Sequence, residues 1–417
     1  MYIHRDLEKK IKPFLNRKEV IAIIGARQVG KTTFLKHLYS QIKKSKSVKF
    51  ITFEDREELS LFNNNIKDFR DLYSKYKTII IDEFQYAEEG GQKLKYLFDT
   101  TNVKYLISGS SSLDLVFKTG QYMVGRMVTF TLWPFSFREY LSYKDKDIFN
   151  LLCKKIPNIL ESDNLKSDTF FGEEINLKLK KLFEEYLVFG GYPEIVLANG
   201  MEWKKKILKS VLTNYLLKDI SNLLKLATED EIIFLAKALS AQIGNLIEYR
   251  ELSNISRLNY ENLIKHLEIL KKTYIVDFIK PYFTNRRTEL TKNPKVYFVD
   301  LGFRNSIISD FRNVKEREDF GSLVENYVFM CLKRIESVGE IKFWRTKSKA
   351  EVDFIFQKDK TLIPIEVRYK NNPGIGKSFY SFINKYSPSK AIILTKNLSA
   401  IRKVDKTTIY FIPVYYF

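Results

Sequence analysis

The stretch Val20-Ile21-Ala22-Ile23-Ile24-Gly25-Ala26-Arg27-Gln28-Val29-Gly30-Lys31-Thr32-Thr33 decides how the first part of the chain is read. Its apolar, β-branched opening ends at a glycine, the pattern of a buried strand meeting a turn. From Gly25 to Thr32 the residues follow Gly-x-x-x-x-Gly-Lys-Thr, a loop whose glycines let successive backbone N–H groups point at a phosphate. Phe34, Leu35 and Leu38 continue with helical spacing, so a helix N-terminus adds its positive end to the same place. Gly25, Ala26, Arg27, Gln28, Val29, Gly30, Lys31, Thr32 and Thr33 are therefore the expected ATP contacts. Lys31 would hold the β- and γ-phosphates, and the Thr32 hydroxyl would ligate Mg²⁺. Working outward, Ile79-Ile80-Ile81 is another apolar strand, and it ends in Asp82-Glu83. Asp82 is expected to anchor Mg²⁺. Glu83 is expected to orient and deprotonate the attacking water, the role that separates a hydrolase from a nucleotide binder. Val48 to Phe53 and Lys104 to Ser108 are further strands, separated by helical segments. Short apolar strands alternating with helices predict an α/β fold with a parallel sheet covered on both faces.

The rest of the composition narrows the function classes. The 417 residues allow about two to four domains at ~150 residues each. Apolar residues make up 45% and charged residues 29%, the balance of a globular chain and not of a disordered one. Lys plus Arg number 70 against 50 Asp plus Glu, a net charge of +20 that favours a polyanionic partner. Two cysteines, Cys153 and Cys331, cannot build a disulfide framework, and three histidines (His4, His37, His266) give little support to zinc catalysis or a His-based triad. No apolar run approaches the ~20 residues of a membrane span, and Asp6 and Glu8 interrupt any leader-like opening. No membrane partner is expected, and the cytoplasm is the default address.

Four parts are expected along the chain: residues 1–132 as the nucleotide-binding core, 133–228 as a helical lid, 229–314 as a helix-turn-helix unit and 315–417 as a basic α/β domain. The third part opens on a capping-box signature, Thr228 with Glu231. It continues with helices to Ala241, over Tyr249 to Ile255 and after Asn259, then two strands joined by a polar tip. The last part reads as a helix over Leu323 to Ile335, three strands, a helix near Ser378 to Lys385, and strands at Ala391 to Leu394 and Thr408 to Val414. From Ile341 to Phe417 there are 15 Lys and Arg against 5 Asp and Glu, so half of the charge excess sits there.

Further motifs accompany these elements: Asp82-Glu83-Phe84-Gln85, Ser108-Gly109-Ser110-Ser111-Ser112, Gly125-Arg126, Pro134-Phe135-Ser136-Phe137-Arg138-Glu139, Gly190-Gly191-Tyr192-Pro193-Glu194, Tyr297 to Gly302, and Glu351-Val352-Asp353-Phe354. With the phosphate loop, this set resembles the AAA-type P-loop ATPases of bacteria and archaea that carry a C-terminal domain of formerly unknown function, and the likeness covers essentially the whole chain. The resemblance implies an AAA+ core with helical lid, a winged-helix domain and a C-terminal restriction-endonuclease-like α/β domain. It implies a homo-oligomer, a ring such as a hexamer or a multiple of one. It gives Ser110 the sensor position that reads the γ-phosphate, and makes Arg126 an arginine finger offered to a neighbouring subunit. Pro134 to Glu139 and Gly190 to Glu194 are expected to fix the lid against the core, with Tyr192 and Pro193 as packing residues.

Two DNA-directed expectations follow. If residues 229–300 form a winged helix, Asn262, Lys265 and His266 lie on its recognition helix, away from the Leu263, Leu267 and Leu270 stripe, and Arg286 and Arg287 on the wing meet phosphates. In the last domain, Asp353 followed by Glu366-Val367-Arg368 is similar to the Asp…Glu-x-Lys arrangement of the restriction-endonuclease fold, in which two carboxylates hold a second Mg²⁺ or Mn²⁺. Glu325 matches the extra acid of its resolvase-like members. Arg368 stands where lysine is expected and cannot give up its proton to serve as a base. Lys370 could replace it only if the strand continues. Metal binding, DNA binding without cleavage, and a purely structural role all stay open for this domain. For the whole chain, ATP turnover coupled to DNA stands beside a nucleotide-controlled assembly switch. A pore-loop protein unfoldase has little support, because no aromatic-glycine pore motif is visible in the core.

Overall fold

The computed structural model describes residues 2–417 apart from 45, 110–119, 157–158, 162–170, 214–228, 284, 286–288, 290 and 336–338. Ser110, Arg286, Arg287 and the Thr228 cap lie outside the described residues. The chain divides into two compact units, Met1–Phe135 with Tyr192–Glu194 and Ile269–Ile275, and Ser136–Gly191 with Ile195–Glu268 and Val276–Phe417.

The first unit contains α1 (Asp6–Ile11), β1 (Val20–Ile24), α2 (Lys31–Ile42), β2 (Val48–Thr52), α3 (Arg56–Asn64), α4 (Ile66–Tyr73), β3 (Thr78–Asp82), α5 (Gly90–Thr100), β4 (Lys104–Gly109) and β5 (Met127–Thr131). The five strands pair in parallel in the order β2-β3-β4-β1-β5. Every residue of β1, β3 and β4 is buried, as strands with both faces covered must be. Strand β5 was not foreseen from the sequence. Its residues are half-buried or exposed, so it lacks a continuous apolar signature and is held as an edge by pairing with β1. The core joins alternate residues of β1, β3 and β4 to Phe53, Phe62, Phe69 and Phe84, whose rings meet within 4.9–5.6 Å.

The second unit begins with α6 (Phe137–Lys144), α7 (Lys146–Lys155) and α8 (Glu173–Phe189), and after α9 (Pro193–Leu197) it continues with α10 (Met201–Leu212), α11 (Glu229–Ala241), α12 (Tyr249–Ser256) and α13 (Tyr260–Lys272). An antiparallel pair, β6 (Val276–Ile279) and β7 (Lys295–Phe298), precedes α14 (Leu301–Ile307). Then come α15 (Phe320–Lys333), β8 (Glu340–Arg345), β9 (Glu351–Lys358), β10 (Thr361–Arg368), α16 (Lys377–Tyr386), β11 (Lys390–Thr395), β12 (Ala400–Val404) and β13 (Thr407–Pro413). The last six strands form one mixed sheet, β12-β13-β11-β10-β9-β8. Strand β12 is a second unforeseen element; it is short, largely exposed and basic, an edge strand whose polarity discourages further pairing.

Parts of two of the expected lid motifs, Ser136 to Glu139 and Gly190-Gly191, lie in this unit, and Pro134-Phe135 and Tyr192 to Glu194 in the first. Ser136 and Glu139 form a reciprocal capping box that starts α6. Gly190 and Gly191 close over Asp300: the Gly191 N–H donates to Asp300 Oδ2 at 2.7 Å, and a Cβ on Gly190 would stand 2.2 Å from Oδ1. Gly302 is equally constrained, since its Cβ would meet the Phe189 carbonyl oxygen at 2.0 Å. The glycines of these two distant motifs therefore exist for one another.

Candidate functional site

The phosphate loop leaves the C-terminal end of β1 and enters α2. Gly25 has φ +152° and a Cβ there would strike the Leu132 carbonyl oxygen at 2.3 Å, so glycine is required twice over. Gly30, with φ +91°, caps α2 in the left-handed region, and Gln28 also has a positive φ. Lys31 is 5% exposed and donates from Nζ to the carbonyls of Gly25 (3.0 Å) and Ala26 (2.9 Å). Burial lowers its pKa to about 8, and the nearby Glu83 and Asp82 carboxylates oppose that fall. Arg27, Gln28 and Thr33 are exposed, Val29 is buried, and Thr32 is half-buried.

Asp82 ends β3, 2% exposed, and accepts from the Ser108 hydroxyl at the end of β4. The Glu83 N–H donates to Asp82 Oδ1 (3.2 Å) and Ser108 Oγ (3.3 Å). Glu83 itself sits at φ 55°, an uncommon conformation for a non-glycine residue that locates it just past the strand, and its carboxylate accepts from Gln85. The fit to a magnesium nucleotide is good: a cradle closed to any Cβ at Gly25, one buried ammonium, a hydroxyl on α2 and two acids on the next strand but one. The sequence predicts no role for Ser108; its signal is only that it lies at the end of β4, a strand neighbouring β3. Arg5 was missed altogether. It donates to the Val29 carbonyl at 3.0 Å and to Trp133, stacks 4.5 Å over Phe135, and so holds the loop from outside. Arg126 lies just before β5 with Nε 3.3 Å from Asp99 Oδ1 on α5.

The helix-turn-helix expectation is corrected at one residue. Leu263, Leu267 and Leu270 are buried as a stripe on α13, but His266 is also buried, 2% exposed, with Nδ1 2.5 Å from the Asn262 carbonyl. It is a packing residue and no DNA contact, because α13 is covered over a wider arc than three leucines mark. Lys265 is exposed and paired with Glu261 at 2.7 Å, and Asn262 is half-buried.

In the C-terminal domain, Asp353 on β9 and Glu366 on β10 face the same region, with the Val367 N–H donating to Asp353 Oδ2 at 2.7 Å. Strand β10 ends at Arg368, so Lys370 falls in the bend beyond it, where its own N–H returns to the Arg368 carbonyl at 2.6 Å. Lys370 therefore does not replace the missing lysine. Arg368 is bound to Glu366, whose Oε2 is buried without a hydrogen-bond partner. Burial raises the Glu366 pKa against the pull of Arg368.

A residue absent from the sequence reading dominates the other acids. Lys295, on β7 and 2% exposed, places Nζ 3.2 Å from Glu325 Oε1 and 2.6 Å from Glu351 Oε1. Tyr297, two residues on along the same face, donates to Glu325 Oε1 at 2.6 Å. Asn326, beside Glu325 on α15, bonds both the N–H (2.7 Å) and the carbonyl (2.8 Å) of Phe298, which fixes β7 against that helix. Burial alone would lower the Lys295 pKa; Glu325, Asp353 and Glu351 reverse this and hold it above its ordinary value. Burial and the Glu325 charge push Asp353 up. Among the described residues, Glu325, Asp353 and Glu366 do not bring one carboxylate oxygen each to within 4.8 Å of one another. The acids fit a bound ammonium better than a divalent ion, apart from the orphan oxygen of Glu366.

Comparison with known proteins matches three segments of the chain. Residues 17–141 match an AAA domain, residues 180–314 a domain of unknown function (DUF8612), and residues 320–417 another domain of unknown function (DUF4143). An uncharacterized protein of Methanocaldococcus jannaschii is 26% identical over 87% of this chain and 77% of its own length. An uncharacterized protein of Haemophilus influenzae is 24% identical over 84% of this chain and 82% of its own. Among solved structures, AMPPCP-bound DnaA from Aquifex aeolicus covers 64% of this chain and 86% of its own at 16% identity and a TM-score of 0.28. The Aeropyrum pernix ORC1 protein in complex with DNA covers 74% and 93% at 12% identity and 0.29. Scores this low carry no argument about function. The AAA-domain match and the parallel sheet with its phosphate loop agree on an AAA-type nucleotide-binding core. No helix among the described residues is long and apolar enough to cross a membrane.

Proposed function

We propose that the protein is a magnesium-dependent ATP hydrolase of the AAA+ type whose turnover is coupled to DNA bound by its basic C-terminal domain. The single observation that carries the hydrolase reading is a buried Lys31 held on the Gly25 and Ala26 carbonyls in a phosphate loop, together with Asp82 and Glu83 at the end of β3. Lys31 exchanges the carbonyls of Gly25 and Ala26 for the β- and γ-phosphates, so the loop is already shaped around a cation–acceptor contact when nucleotide arrives. Thr32 and Asp82 would hold Mg²⁺, and Ser108 orients Asp82 by donating to it. A magnesium ion held there would neutralise the charge developing on the phosphates. Glu83, fixed by its backbone bonds to Asp82 and Ser108, orients the attacking water and accepts its proton. Arg126 completes the site of a neighbouring subunit in a ring, leaving Asp99 to do so; Ser110 serves as sensor. Glu83→Gln should bind ATP and turn it over ~10²–10⁴-fold more slowly. Unchanged phosphate release in that variant removes Glu83 from its role.

The DNA reading rests on the surplus of Lys and Arg in residues 341–417. Lysines and arginines gain affinity by displacing phosphate counterions, so turnover should rise with DNA at low salt and lose that stimulation as salt increases. Absence of stimulation at low salt favours the alternative, a nucleotide-controlled assembly switch. The C-terminal sheet binds without cutting in this proposal, because Lys295 pairs with Glu325 and Glu351 and Arg368 with Glu366. Incubation with Mg²⁺ or Mn²⁺ and branched, linear or single-stranded DNA should leave the DNA intact. Cleavage abolished by Asp353→Ala would instead establish a nuclease whose metal sits at the orphan oxygen of Glu366.

A further inference from the structure

Two of the three histidines in the chain come together with a carboxylate at a place the nucleotide site does not use. His4 precedes α1, Glu8 lies on α1, and His37 lies on α2. The His4 Nδ1 atom is 3.3 Å from Glu8 Oε2, and His37 Nε2 is 3.6 Å from the same oxygen. One ligand atom from each of the three lies within 4.8 Å of the others, and no other such group of His, Cys, Asp or Glu occurs among the described residues. Ligands bonded tetrahedrally to zinc at 2.0–2.2 Å stand about 3.3–3.6 Å apart, and both histidine nitrogens lie at that distance from Glu8 Oε2.

The surroundings orient the ligands as supporting residues of a metal site do. Glu8 Oε1 accepts from the Tyr2 hydroxyl (2.8 Å) and the Arg5 N–H (2.9 Å), which fixes the carboxylate; His4 Nδ1 lies 3.3 Å from each of its oxygens and His37 beside Oε2. The Tyr2 ring stacks on His37 at 3.7 Å and 11°, fixing the plane of that imidazole. Gln41 Nε2, 2.7 Å from His37 Nε2, is the group an ion would displace.

We propose that His4, Glu8 and His37 form a site for one divalent ion of the zinc class, with water completing four-coordination. Two imidazoles and one carboxylate select zinc, cobalt or nickel over magnesium and calcium, which prefer all-oxygen shells. The ion ties α1 to α2, the helix that begins with Lys31, and does so next to Arg5, which already holds the phosphate loop through Val29. This inference is independent of the hydrolase proposal.

The test is cobalt(II) titration of the full chain, free of added histidines and nucleotide, followed by visible absorption and reversed by zinc. One equivalent should bind with the intense bands of a four-coordinate ion; cobalt held by oxygen ligands alone absorbs weakly, which separates this site from Thr32 and Asp82. His4→Ala, at an exposed side chain that leaves folding intact, should lose the band, and Glu8→Gln should lose it too. Tyr2→Phe, which removes the supporting hydroxyl, should weaken binding about tenfold. No intense band in the wild-type chain, or a band that survives His4→Ala, overturns the proposal.

Discussion

Lys31 and Lys295 are both almost wholly buried, yet their environments drive their protonation in opposite directions. Lys31 has two carbonyl acceptors and two acids near it, which do not offset burial, and its pKa falls to about 8. Lys295 touches Glu325 and Glu351 directly with Asp353 close by, and its pKa is held high. The first ammonium is undercompensated by its own chain, the condition of a group arranged to meet an anion. The second is already neutralised by its own chain. One lysine thus lies in the phosphate loop without a full set of counter-charges, and the other is paired with acids of its own chain.

The largest effect that would break this contrast is on stability. Lys295→Ala leaves buried carboxylates uncompensated and should lower the unfolding free energy by about 3–5 kcal/mol in denaturant titrations. Part of that loss should return as pH falls, because burial and the Glu325 charge already raise the Asp353 pKa and its protonation relieves the repulsion. Lys31→Ala should leave stability unreduced and instead weaken ATP binding by about 1.5–3 kcal/mol, read by calorimetry as roughly a ten- to hundredfold change in affinity. A Lys31→Ala chain that unfolds as readily as Lys295→Ala would erase the distinction.

A finer test uses protons. The Lys31 pKa is lowered in the folded chain, so between about 8 and its ordinary 10.5 the unfolded state binds more protons and stability rises with pH through Lys31. Triphosphate binding works the other way, because it favours the ammonium. At pH 9 calorimetry in buffers of different ionisation enthalpy should therefore show proton uptake approaching one, and affinity should fall as pH rises through about 8. Proton uptake that persists in Lys31→Ala would assign it to another group.

The phosphate loop, the acid-ended strand β3 and the helix-strand alternation of the first unit were legible because they are local. A glycine at a forced turn, an apolar run and the residue ending it are all written within a few positions. Strands β5 and β12 were not legible, since each is an edge whose pairing with β1 or β13 comes from elsewhere in the chain. His266 followed the polar side of a three-leucine stripe, but burial of a helix is set by what packs on it, and that cannot be counted from one strip of sequence. Lys370 depended on where β10 stops, a boundary that pairing decides.

The amino-acid order alone determined a nucleotide-type loop, its two acids, the basic C-terminus and the acids Glu325, Asp353 and Glu366. Only the tertiary structure decided that Lys295 from β7 lies among those of α15 and β9, that Gly190 and Gly302 make room around Asp300 and Phe189, and that His4 meets His37. The reason is the range of the forces. Turn strain and side-chain alternation act between neighbours along the chain, whereas a buried charge takes its partner from whatever element the fold packs beside it.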